Sequence, residues 1–214
     1  MQRSESMPLG ILLTGTGGFL DAYTYIYRGG VFANAQTGNL VMLGVNAAQG
    51  NWINGTRYLI PVAAFIAGTM LALWIRIRFQ NSRFHWRQAV VLLEALILAI
   101  VILIPQGEAD MAANVLVSFI CAMQVSAFRK IHGHALATTM CTGNLRSGTE
   151  LVMKYLETRD QNALKAGLKY FWIVLCFIAG AGIGTAATLL AENAAPLICI
   201  VCLVICFLLM NGKE

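Results

Sequence analysis

The chain has 214 residues, of which 58% are hydrophobic and 12% charged, with a mean hydropathy of +0.68. Soluble domains carry roughly 25% charged and about 45–50% apolar residues, so a soluble enzyme and a disordered chain are both excluded and an all-α integral membrane protein is expected. The formal charge of +5 comes without a basic stripe interleaved with aromatics, so the expected partner is the lipid bilayer and no nucleic acid.

Residues 1–7 are polar and no cleavage site follows the first apolar run, so no cleavable leader is expected. That run, 9–27, holds Gly10, Gly15, Gly17 and Gly18, a spacing suited to close helix packing, and carries Asp21 two-thirds of the way along. The second and third runs are 58–77 and 89–104, the third burying Glu94 among Leu and Val. The fourth, 111–128, carries Gln124; the fifth, 170–190, contains Gly180, Gly182 and Gly184; the sixth is 195–210. Each is long enough, or nearly so, to cross a hydrocarbon core of about 30 Å. Two further segments, 36–50 and 142–156, have fifteen residues each. As helices they reach only about 22 Å and fall short of that thickness.

Charge bias decides between six and eight crossings. If both short segments dip in and return, and the N-terminus is cytoplasmic, thirteen cations share that side: Arg3, Arg76, Arg78, Arg83, Arg87, Arg129, Lys130, Arg146, Lys154, Arg159, Lys165, Lys169 and Lys213. Only Arg28 and Arg57 lie outside. If both segments cross, the loop charges divide seven to seven and Arg146 is stranded in a span. The positive-inside rule selects six spans plus two re-entrant helices, with both termini cytoplasmic.

The chain also repeats itself. Ala33-Asn34-Ala35-Gln36-Thr37-Gly38-Asn39-Leu40 follows Asp21, and Thr138-Thr139-Met140-Cys141-Thr142-Gly143-Asn144-Leu145 follows Gln124. Downstream, Arg57-Tyr58, six residues and Phe65-Ile66-Ala67-Gly68 match Lys169-Tyr170, six residues and Phe177-Ile178-Ala179-Gly180. The single membrane domain, 1–214, thus divides into a repeat at 7–105 and a second at 106–212. Each reads span, short helix, span, span. Three crossings per copy invert the second copy relative to the first, a construction used by many secondary transporters.

A helix starting at Thr37 or Thr142 leaves N–H groups without intrahelical partners, and Thr is a good N-cap. Two such starts facing each other near the midplane offer donors and positive dipole ends to an anion or a carbonyl-like acceptor. The expected solute site is Asn34, Gln36, Thr37, Gly38, Asn39, Gln124, Thr138, Thr139, Thr142, Gly143 and Asn144. Asp21 and Glu94, ionisable groups inside spans, are the proton-coupling candidates, although Asp21 could instead pair with Arg28 or accept from nearby backbone donors. Glu150 and Arg146, four apart, are expected to pair on one helix face. The cysteines (Cys121, Cys141, Cys176, Cys199, Cys202, Cys206) read as reduced fillers, and His85, His132 and His134 lack ligand spacing. No metal, cofactor or catalytic constellation is expected.

Gly18-Phe19-Leu20-Asp21-Ala22, followed by the stretch from Gly30-Val31-Phe32 through Leu40, resembles the signature of the YoaK-like family. In the second half, Gln124, Ala137-Thr138-Thr139 and Thr142-Gly143 are similar to it as well, with Val125 where a small polar residue is expected. The resemblance implies a small bacterial multipass protein of the plasma membrane, assigned to a domain of unknown function. The expectation is a small secondary transporter of a small anion or weak acid, with proton coupling. The alternatives are a passive small-solute channel and a non-transporting membrane partner or assembly protein. Six spans leave lateral surface for a homodimer.

Overall fold

In a computed structural model, which describes residues 3–79, 85–131 and 137–210, every expected apolar run is helical and so are both short segments. The α-helices among the described residues are α1 (Met7–Tyr27), α2 (Gln36–Ala48), α3 (Trp52–Phe79), α4 (Trp86–Leu103), α5 (Asp110–Ala127), α6 (Cys141–Thr158), α7 (Gln161–Ala191) and α8 (Leu197–Met210). Arg83, His132, His134 and Lys213 lie outside the described residues. The first short helix stops at Ala48 rather than at residue 50, because the chain turns through Gly50 at φ 72°. The second runs for 18 residues rather than fifteen, ending where Arg159 adopts the left-handed conformation at φ 57°.

Among the described residues, four helices are long and apolar enough to cross a membrane: Trp52–Phe79, Trp86–Leu103, Asp110–Ala127 and Gln161–Ala194. Two of the six expected spans, α1 and α8, fall short of that criterion. α1 has the length, 21 residues, but its Gly and Thr residues and Asp21 dilute its apolarity. α8 has 14 residues, which at the helical rise is about 21 Å. The chain is a multipass membrane protein. Its outward faces are apolar on α3, α4, α7 and α8, through residues such as Ile66, Met70, Leu96, Ile178 and Val201. α5 is an inner helix, with 61% of its apolar window buried against 22% for α3 and α7. α1, buried from Thr16 through Asp21, is the other.

Hydrogen bonds at the termini fix which helix ends lie together. Arg28, just after α1, donates to Val101 O and Ile104 O at the end of α4, to Asp110 at the start of α5 and to Asn193 after α7. At the opposite end, Arg87 of α4 donates to Ala127 O of α5 and to Ser4 and Glu5 ahead of α1. Gln88 there reaches Phe207 O of α8. α1 and α7 run parallel: a Cβ on Gly180 would strike the Gly15 carbonyl, and one on Gly184 the Phe19 carbonyl. Likewise a Cβ on Gly68 of α3 would strike the Phe119 carbonyl of α5. α2 packs on α3 and α6 on α7, while α4 meets α5 and α8 meets α1.

Candidate functional site

The chain reverses after Arg28 through Gly29 and Gly30, whose φ angles of 82° and 76° exclude most side chains. It then runs back along α1. Asp21 Oδ1 accepts from the Asn34 N–H at 2.9 Å, and the Ala35 N–H also donates to that carboxyl. Asp21 lies seven residues before Arg28, so α2 begins about 10 Å inside the helix end. Thr24 Oγ1 accepts from the Ala33 N–H and the Ser118 hydroxyl donates to Ala33 O, holding the loop between both inner helices. α2 then leads outward, through Gln49–Asn51, to the start of α3.

The second loop enters from the other end. A Cβ on Gly17, midway along α1, would sit 2.9 Å from Thr139 Cγ2. Gln124 Nε2 donates to Leu13 O at 2.9 Å and to Thr138 Oγ1 at 3.3 Å, bridging α5, α1 and the loop. α6 leads back out to α7. The two loops meet: Asn34 Nδ2 donates to Thr139 O at 3.4 Å. Cys141, the first residue of α6, lies within electrostatic range of Asp21. At this junction Asn34 Oδ1 and Thr139 Oγ1 are buried without a partner, a costly condition that a bound polar solute would relieve.

The structure gathers Asp21, Asn34, Gln124, Thr138 and Thr139 at the junction. Asn39 and Asn144 take a different place, and the same one in each half. Asn39 Nδ2 donates to Phe32 O at 2.8 Å and Asn144 Nδ2 to Ala137 O at 2.7 Å, each seven residues back. Gln36 joins the first clamp through Asn39 and Ala33 O. Thr37, Thr142 and Gly143 are exposed and Gly38 is half-buried, on the outer side of the helix starts. Neither Thr is an N-cap. The caps are Ala35 and Met140, with no side-chain cap bond, because the helices start ahead of the threonines and Asp21 takes the donors before α2.

Glu94 stands apart on α4, 2% exposed, with Oε1 unpartnered. Cys121 of α5 lies within electrostatic range of both Glu94 and Asp21. Arg28 pairs with Asp110 at 3.1 Å, not with Asp21, which is turned toward the loop. Arg146 and Glu150 pair as expected at 2.8 Å. Sequence reasoning missed Ser118 and Asn114, whose amide donates to Arg28 O at 2.7 Å. Their signal was two polar residues four apart in an apolar run, on one helix face.

A profile of the family described as "Protein of unknown function (DUF1275)" matches residues 9–209. The chain is 28% identical over 142 residues to the UPF0700 transmembrane protein YoaK of Bacillus subtilis (strain 168), a match covering 64% of this chain and 62% of that relative. No solved structure matches.

Proposed function

The chain belongs to the DUF1275 family, and we propose that it is a small secondary transporter of the bacterial inner membrane, carrying a small anion or weak acid together with a proton. In this reading α1, α3, α4, α5, α7 and α8 cross the bilayer and α2 and α6 are re-entrant. Repeats 7–105 and 106–212 then form an inverted pair. The reciprocal packing supports it: α1 lies on α7 as α5 lies on α3, and the glycine of each Phe-Ile-Ala-Gly motif seats on a carbonyl of the inner helix of the other repeat. The cation bias supports cytoplasmic termini. No enzymatic step enters the reading.

The observation that carries the proposal is the Asp21 carboxyl seated on the Asn34 and Ala35 N–H groups at the junction of the loops. These are the donors, at the positive end of α2, that an anionic solute would seek. The protein's own carboxylate competes for them. A proton on Asp21 removes that charge, so proton and anion bind together and neither is carried well alone.

The test is flux in proteoliposomes with Asp21→Asn. Saturable uptake that follows the proton gradient in the parent protein, and loses its pH dependence in the variant at equal insertion, is the expected outcome. An unchanged pH profile would remove Asp21 from coupling. Fast, unsaturable flux would replace the transporter by a passive channel.

A further inference from the structure

The junction of the two loops carries an unmet hydrogen-bonding group of definite polarity. The Thr139 carbonyl can only accept, so the Asn34 amide must turn its Nδ2 toward it, as it does at 3.4 Å. The atom left over is Asn34 Oδ1, which has no proton to give, on a side chain 7% exposed and without a partner for that oxygen. What it lacks is a donor. A bare anion supplies none, although the backbone N–H groups beside it attract one.

The same arrangement recurs toward the Arg28 end. Asn114 of α5, 2% exposed, gives its Nδ2 to Arg28 O at 2.7 Å, which again fixes the amide and leaves Oδ1 unpartnered. Arg28 and Asp21 are seven residues apart, two helical turns, and so share one face of α1. Two buried amide oxygens that want donors therefore stand along that face.

At the junction one residue presents both halves of a recognition site. The Asn34 N–H, which Asp21 Oδ1 holds at 2.9 Å, and the free Asn34 Oδ1 belong to the same side chain and backbone unit. A solute seated on the N–H therefore has the oxygen within reach of its neighbouring atoms. With Asp21 neutral, the Asn34 and Ala35 N–H groups are free for a carboxylate, and a hydroxyl on the adjacent carbon can donate to Oδ1. Thr139 Oγ1, also unpartnered, gives or takes a hydrogen bond as the solute requires. A hydroxyl suits the site better than an ammonium, since a neutral Asp21 leaves no charge beside it to balance a cation.

We infer that the solute is an anion with a hydrogen-bond donor next to its charge, of the class of small 2-hydroxy carboxylates, selected by Asn34 Oδ1. The inference rests on the transporter reading for the anion and for the neutral Asp21. An anion of similar size without the donor leaves the buried oxygen unmet. Sites built to bond a hydroxyl discriminate strongly against analogues that lack it.

The experiment is a thermal-shift titration of the purified full chain at mildly acidic pH, with glycolate against acetate and lactate against propionate. Each pair differs by one hydroxyl. Glycolate and lactate should raise the apparent melting temperature at concentrations about tenfold lower, or less, than acetate and propionate. Methoxyacetate, whose hydroxyl is capped, should behave as acetate does. The preference should vanish in Asn34→Leu and in the smaller Asn34→Ala. Equal responses within each pair in the parent protein would overturn this inference and leave the anion reading standing. A preference that survives in either Asn34 variant would overturn the assignment to its oxygen. No shift with any of the five acids would overturn the anion reading and this inference with it, leaving water to meet the free oxygen.

Discussion

Arg28 has no exposed surface, and its guanidinium reaches six oxygens: Tyr23 Oη, Val101 O, Ile104 O, Pro105 O, Asp110 Oδ1 and Asn193 Oδ1. Ile104 O and Pro105 O lie past the last turn of α4, where no intrahelical donor can meet them, while Val101 O also accepts from the Ile104 N–H. One side chain thus closes a helix end, neutralises Asp110 and ties α1 to α4, α5 and the α7–α8 turn. Replacing it by Met strands a buried carboxylate and those carbonyls together. Arg28→Met should therefore cost about 3–5 kcal/mol, read as a lower apparent melting temperature in detergent, and Asp110→Asn, which keeps an acceptor, should cost less. A melting point unchanged in Arg28→Met would mean that the carbonyls find other donors. None of this cluster was legible in the sequence, because Asp110 is 82 residues away and no local spacing joins it to Arg28. Asp21 was legible as an expensive residue in an apolar run. That backbone donors could meet it was legible as well, but not that they are the N–H groups of Asn34 and Ala35, presented by a loop whose path the turn at Gly29 and Gly30 sets.

At the scale of the helices, apolar runs reported where each element lies, because burial in lipid leaves few other ways to satisfy the backbone. Their ends were less legible, being decided by single residues such as Arg159. The glycines were legible as a group but not individually. Gly180, Gly18 and Gly68 each face a carbonyl of a neighbouring helix where a Cβ does not fit, whereas a Cβ on Gly15 meets nothing within 4 Å. Backbone cannot step aside as a side-chain tip can. Gly180→Ala and Gly68→Ala should thus part α1 from α7 and α3 from α5, with the folded yield falling severalfold by fluorescence-detected gel filtration. Gly15→Ala should be neutral or slightly stabilising, since Ala exceeds Gly in helix propensity by about 1 kcal/mol. Equal loss in all three would mean that helix spacing is not set by these contacts.

For the whole molecule, the consequential quantity is the side of the membrane on which each short helix emerges. α2 begins near Asp21 and ends three residues before α3, while α6 begins near Gly17 and ends two residues before α7. α3 must arrive at the end where α4 starts, and α7 at the end that holds Arg28, because Asn193 Oδ1, just after α7, accepts from the Arg28 guanidinium there. The turn at Gln49–Asn51 therefore shares a face with Gly29 and Gly30, and the turn at Arg159–Asp160 shares the opposite face with Glu5. Single cysteines at Asn51 and at Asp160, probed in intact cells with an impermeant maleimide, should separate cleanly, Asn51→Cys labelling from outside and Asp160→Cys only after the membrane is opened. If each short helix crossed instead, Asn51 would fall inside while Arg76, Arg78, Arg83 and Arg87 moved outside, and the seven-to-seven split of loop charge would leave orientation undetermined. Labelling of Asn51→Cys only in opened cells would accordingly remove the inverted pairing, and with it the meeting of two helix starts at one level on which coupling through Asp21 depends.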